Sequence, residues 1–229
     1  MGTITEPATG TTAPSADHRT PAVLWSKPES ERSGTPLLVL FHGYMADEQD
    51  LMGLADHLPA DFTVASVRAP LPAGPGYSWF PLAREGGYSV ERVVESVTAV
   101  AGWLDDVRGN HSSVSLLGFS QGMAVATSLL RHRPTDFACV VGLSGFTVPS
   151  EGHAFFRDDE VAAAPVQFFW GRDQEDQVIT PEMIEPTHAW LVKHTKLTKI
   201  LYPNMFHSIN QQELAHVREF LTMTVLGRR

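Results

Sequence analysis

Short, mostly apolar runs recur along this chain, separated by stretches whose apolar residues fall three or four apart. The runs occupy residues 36–41, where apolarity is uninterrupted, and 62–67, 113–117, 138–143 and 166–170. A strand that is apolar at every position is one covered on both faces, as in a parallel sheet with helices above and below. Residues 21–25 read as an edge strand and 199–202 as a further strand. Between the runs, residues 89–107 place Val90, Val93, Val97, Val100 and Leu104 on one helical stripe, which is core. Further helices are expected over 47–58, where Asp47 can cap the first turn, after residue 120 through Leu130, and over 181–194 and 209–225. Strand and helix alternate, which predicts an α/β fold: a mostly parallel central sheet, right-handed crossovers and helices on both faces. One domain is expected over 21–229. Residues 1–20, rich in Thr, Ala, Pro and Gly, bury too little surface to offset their ordering entropy and are expected to form a disordered tail.

Two stretches depart from the alternation. Residues 68–88 turn to Pro, Gly and aromatics, and a loop of that length in a compact plan, with Tyr77, Trp79 and Phe80 in it, is expected to be ordered and functional. Residues 144–164 are irregular and acidic.

Composition narrows the function. The chain has 229 residues, 43% hydrophobic and 19% charged, enough for a sizeable core without a staple. Its single cysteine, Cys139, lies in an apolar run, so no intrachain disulfide forms; the thiol reads as a small hydrophobe, and a reducing compartment fits. A net charge of −9 with no basic cluster argues against nucleic acid and anionic membrane surfaces as partners. No window approaches the roughly 18 continuous apolar residues of a spanning helix, and no signal-peptide core is evident at the amino terminus. A cytoplasmic location is expected. Between residues 151 and 176 seven acidic residues face two arginines, a balance that should disfavour polyanionic substrates such as acyl-CoA at low salt.

The chemistry centres on Gly118-Phe119-Ser120-Gln121-Gly122, preceded by an apolar strand and followed by a helix. A G-x-S-x-G corner holds its serine in a strained strand-to-helix turn, with glycines two residues either side because a Cβ there would strike the neighbouring strand and helix. A serine hydroxyl needs a general base, and that base needs a carboxylate to orient it. On this type of sheet the order is serine, acid, histidine. Of the late histidines, His188, His194 and His216 fall within expected helices, whereas His207 follows a strand and precedes a helix. The acid should come from residues 171–179, where Asp176, with Val178 and Ile179 to anchor the loop beneath it, is the first choice and Asp173 the second. Oxyanion donors are expected from the backbone amides of Gln121 and Tyr44, with His42 as a structural residue of the turn.

Phe41-His42-Gly43 with Asp50-Leu51, Gly76-Tyr77-Ser78-Trp79-Phe80, the Ser120 pentapeptide followed by Met-Ala, Leu143-Ser144-Gly145, Asp176-Gln177-Val178-Ile179 and Phe206-His207 occur in an order that resembles the phospholipase/carboxylesterase family of α/β-hydrolases, the relatives of acyl-protein thioesterases. The resemblance runs from about residue 36 to the carboxyl terminus. It implies an α/β-hydrolase fold, a triad of Ser120, Asp176 and His207, an oxyanion hole from the Tyr44 and Gln121 amides, and an acyl pocket lined by Trp79, Phe80 and Tyr77. The implied activity is hydrolysis of a small-molecule carboxylic ester or thioester through an acyl-enzyme, with no metal and no cofactor. A homodimer stays open. Other readings on the same fold are a non-catalytic binding protein for a small hydrophobic ligand and a dienelactone or carbon–carbon hydrolase. Two departures stand out: Tyr44-Met45 replaces the usual aliphatic residue and glycine, which narrows the cleft, and the acid loop is longer than usual, which keeps Asp173 in contention.

Overall fold

The computed structural model describes residues 20–82, 87–149 and 152–228. The segment expected to be a disordered tail lies outside the described residues, except for Thr20. Nine strands and five α-helices are described: β1 (Val23–Trp25), β2 (Leu37–Phe41), β3 (Thr63–Val67), β4 (Leu71–Ala73), β5 (Gly76–Ser78), α1 (Val90–Val107), β6 (Val114–Phe119), α2 (Gln121–His132), β7 (Cys139–Leu143), α3 (Asp158–Ala163), β8 (Gln167–Arg172), α4 (Pro181–His194), β9 (Lys196–Leu201) and α5 (Gln211–Thr224).

Seven strands form one sheet in the order β1-β3-β2-β6-β7-β8-β9. Only β1 runs antiparallel, against β3; every other pairing is parallel. Because side chains alternate across a strand, the apolar runs feed two cores at once. Leu37, Val39 and Phe41 face a core shared with α1, α2 and α4, while Leu38 and Leu40 face one closed by Val217 and Leu221 of α5. Helices therefore cover both faces, as the alternation predicts. Helix α2 is buried from Gln121 through Arg131, wedged between the sheet and its neighbouring helices.

Several expected elements differ. The helix expected over 47–58 is only a 3-10 segment, Met52–His57. Its first residues are spent elsewhere: the Asp47 carboxylate accepts the Gln49 amide in a local turn, and Glu48 is gripped by Arg68 through two bonds of 2.6 and 2.5 Å. Within the loop 68–88, β4 and β5 pair as a short hairpin that turns at Gly74, φ 55°. The acidic stretch contains α3, whose Asp158 meets the buried Arg131 at 2.6 and 2.9 Å. Strand β9 starts three residues earlier than expected and forms one edge of the sheet, with its side chains largely exposed.

The parallel strands point one way, so the loops after Phe41, Val67, Phe119, Leu143, Arg172 and Leu201 gather at one end. Open sheets of this kind bind ligands there.

Candidate active site

Strand β6 ends at Phe119 and α2 begins at Gln121, leaving one residue for the reversal. That residue, Ser120, has φ 55° and ψ −119°, a conformation costly for any residue with a Cβ. Its flanking glycines show what holds it. A Cβ on Gly118 would lie well inside 3.0 Å of the Gly122 carbonyl, and one on Gly122 well inside 3.0 Å of the Phe41 carbonyl. A third close approach is at Gly145, where a Cβ would come within 2.6 Å of the Ser120 carbonyl.

The Ser120 hydroxyl lies 3.0 Å from Nε2 of His207, and Nδ1 of His207 lies 2.9 Å from Oδ2 of Asp176. The other oxygen of Asp176 accepts the Val178 and Ile179 amides at 2.8 and 3.1 Å. Burial pushes the Asp176 carboxyl up, but the His207 bond and the two amides outweigh it and hold the group below the usual carboxylate range. An ionised Asp176 fixes the histidine tautomer: Nδ1–H donates to the carboxylate, leaving Nε2 to accept the serine proton. The Phe119 ring leans on His207 at 5.0 Å.

Asp173 does not reach His207. It is fully buried, and its Oδ1 accepts the Glu175 amide at 2.7 Å while its Oδ2 accepts those of Met205 and Phe206 at 2.5 and 2.6 Å. The Glu175 amide, followed by those of Phe206 and Met205, depresses its carboxyl despite burial.

His42 is enclosed. Nδ1–H donates to the Gly43 carbonyl at 2.8 Å and Nε2 accepts the Ala69 amide at 3.1 Å, which requires a neutral ring; burial lowers its pKa accordingly. The Trp79 indole donates to the His42 carbonyl at 2.9 Å. The turn that His42 opens brings Gly43 against Ser120, with a Cβ on Gly43 falling 3.6 Å from the serine Cβ. Tyr44 follows directly, and the next residues are stitched down: the Met45 amide donates to Tyr77 and the Tyr77 amide to Ala46, at 2.9 and 2.8 Å. The other expected amide, that of Gln121, is the first of α2, where an N–H has no intrahelical acceptor.

The side chain of Gln121 is also engaged. Oε1 accepts the Trp79 amide at 3.0 Å and Nε2 donates to the Phe80 carbonyl at 2.8 Å, so this residue ties the loop after β5 to the serine corner. Sequence reasoning assigned Gln121 an amide and missed its side chain; a polar residue inside an otherwise small and apolar helix start was the available signal.

Of the three side chains expected to line an acyl pocket, Trp79 and Phe80 are enclosed in the core and only Tyr77 is partly exposed. Trp79 and Phe80 are 0% exposed. Trp79 edges onto Phe41 and leans on His42, and Phe80 packs on Tyr88, so both rings fill the core behind the cleft. Tyr77 is half-buried, with the Arg68 guanidinium over its ring at 4.6 Å. Exposed apolar side chains instead sit beside the site residues: Tyr44 and Met45 at 41%, Val178 and Phe206 at 56%.

The remaining candidates are accounted for by packing. His216 bonds the Tyr202 hydroxyl at 2.8 Å, His194 is buried with Nδ1 2.7 Å from the Trp190 carbonyl, and His188 stacks on Trp170. Burial raises the Cys139 thiol to about 12. Among the described residues no three His, Cys, Asp or Glu side chains gather as a metal ion would need, and no helix is long and apolar enough to cross a membrane.

The family described as Phospholipase/Carboxylesterase matches residues 27–225. MhqD of Bacillus subtilis is 24% identical over 188 residues, covering 80% of this chain and 91% of its own. The Bacillus cereus carboxylesterase superposes with a TM-score of 0.75 at 18% identity, covering 90% of this chain and 95% of that one. A Mesorhizobium loti carboxylesterase gives 0.71 at 19%, covering 85% and 92%. At such identities the structural likeness speaks for the α/β-hydrolase fold.

Proposed function

Because the chain belongs to the phospholipase/carboxylesterase family, we propose that it hydrolyses carboxylic esters or thioesters through an acyl-enzyme formed on Ser120. The observation that carries this reading is the hydrogen-bonded line from Ser120 through His207 to Asp176, at 3.0 and 2.9 Å, starting from a serine in a left-handed corner.

The steps follow from those atoms. Nε2 of His207 takes the hydroxyl proton as Ser120 Oγ attacks the acyl carbonyl, and the ionised Asp176 stabilises the imidazolium through Nδ1–H. The developing oxyanion lies between the amides of Tyr44 and Gln121. His207 then gives its proton to the departing alcohol or thiol, leaving the acyl group on Ser120. In the second half, His207 takes a proton from water, hydroxide adds to the acyl carbonyl, and the proton returns to Ser120 as the acid leaves. No step draws on a metal or cofactor.

The Ser120→Ala variant is expected to lose p-nitrophenyl ester turnover by at least about 1,000-fold while keeping its unfolding midpoint. A folded variant that retains most of the activity overturns the proposal. A panel of esters and thioesters of graded acyl length, run on the unaltered protein, identifies the preferred leaving group and chain.

A further inference from the structure

The two carboxylates of the loop after β8 are built alike. Asp173 and Asp176 each turn one oxygen back to the amide two residues on, Glu175 at 2.7 Å and Val178 at 2.8 Å. Each sends its other oxygen across to the loop after β9. They differ in what they find there. Asp176 meets the ring of His207, whereas Asp173 meets the backbone just before it.

That backbone is strained. Asn204 has φ 59° and Phe206 has φ 57°. Asparagine tolerates the left-handed region; phenylalanine rarely enters it. Nor does side-chain packing supply the reason at Phe206, a residue that is 56% exposed. The amides of Met205 and Phe206, brought into convergence by those two residues, close on one buried carboxylate oxygen at 2.5 and 2.6 Å. The ionised, fully buried Asp173 is a stronger acceptor than any neutral group, and it spans more than thirty residues of sequence to reach them. The conformation of Phe206 sets the direction in which the next residue, His207, leaves the chain.

We infer that Asp173 is a positioning residue: its carboxylate clamps the strained 204–206 turn and so aims His207 at both Ser120 and Asp176. This rests on the serine-hydrolase reading above for its consequence in catalysis, while its structural content stands on the loop itself. Asp173→Asn removes the charge and turns an amide group toward one set of donors. We expect kcat to fall about 100-fold with KM changed less than about threefold, since a misaimed base costs rate rather than affinity. Lost positioning lowers the plateau of the pH–rate profile. A purely electrostatic role for Asp173 would move the midpoint of that profile and leave the plateau, and that result overturns the inference.

Glycine enters the left-handed region without strain, so Phe206→Gly in the Asp173→Asn background should recover at least about tenfold of the lost kcat. No recovery overturns the inference. If Asp173→Asn does not fold, Phe206→Pro tests the same turn with Asp173 intact, because proline removes one amide and fixes φ near −65°. A folded Phe206→Pro with unaltered kcat also overturns it. The downfield Nδ1 proton signal of His207, read by NMR, separates this idea from the reaction. Persistence of that signal in Asp173→Asn disproves the clamp whether or not esters are cleaved. Its loss in the variant, alongside an unaltered protein that cleaves no ester, sustains the clamp and removes only the hydrolase reading.

Discussion

Gly122 has no room for a side chain: a Cβ there would sit well inside 3.0 Å of the Phe41 carbonyl, in the backbone of β2, an interior strand of the sheet. Neither α2 nor β2 can yield without moving Ser120 or the turn at His42. Gly122→Ala should therefore cost at least ~3 kcal/mol by urea unfolding, or leave no folded protein, whereas Gly53→Ala, with nothing within 4 Å, should stay within about 0.5 kcal/mol. Similar losses for the two would show that the corner is not tightly packed. This steric logic is why Gly118, Ser120 and Gly122 were readable from their spacing alone: the turn dictates both the glycines and the gap between them. His207 was readable for a similar reason, as the late histidine that lies between a strand and a helix. Asp176 was preferred to Asp173 only for the Val178-Ile179 pair beside it, because what distinguishes two loop carboxylates is which groups approach from residues 205–207, a fact of tertiary structure. Trp79 and Phe80 misled because an aromatic in a Gly- and Pro-rich loop can face the cleft or the core. Their engagement with His42 and Gln121 decided for the core.

At the scale of elements, α5 carries a conflict that its sequence pattern conceals. Leu214, Val217 and Leu221 form its buried stripe, and Glu213, one turn before Val217, falls on the same face. Its amide is capped by Asn210 at 2.8 Å, but its side chain is driven inward against Gly171, where neither carboxyl oxygen finds a hydrogen-bond partner among the described residues. Burial pushes this carboxyl up to about 8. An acid whose folded pKa lies above its unfolded value contributes stability that is fully present below the unfolded pKa and lost as pH rises to the folded one. Relative to Glu213→Gln, the unaltered protein should thus lose stability steadily between about pH 4.5 and pH 8, at up to ~1.4 kcal/mol per unit, and no further above it. Denaturant unfolding of both proteins at pH 5, 7 and 9 reads this directly, and parallel curves would show the group is not held protonated. By position the glutamate is an ordinary first-turn acid, and only the packing of α5 on Gly171 makes it costly. Long periodic segments such as α1 and the apolar strands were legible in the chain because burial on a repeating face sets them. Short elements, the β4–β5 hairpin, α3 and the 3-10 segment after β2, were not, because prolines, a single helical turn or the Arg68–Glu48 pair override local preference.

For the whole molecule, charge is the property that acts at a distance. The local acidity expected to rim the site is smaller than a count of residues suggests. Asp158 is paired with Arg131 and Glu160 with Arg157, Glu151 lies outside the described residues, and the charges of Asp173 and Asp176 are buried and held by amides or His207, which leaves Asp159 and Glu175 exposed. Beyond these two, what acts on an approaching substrate is the net charge of −9 of the whole chain. A diffuse field of this kind slows the approach of anions over a range set by the Debye length, about 30 Å at 0.01 M salt and about 8 Å near 0.15 M. It should not alter the chemistry once substrate is bound. The expected signature is therefore in kcat/KM and not in kcat. Between a neutral thioester and a CoA thioester of the same acyl group, the ratio of kcat/KM values should favour the neutral substrate several-fold at 0.01 M salt and fall toward its high-salt limit by 0.15 M, with both kcat values unchanged. A ratio constant across that range would mean that the surface field does not select substrates; a salt effect on kcat would place the responsible charges inside the site, against the pairing and burial found there.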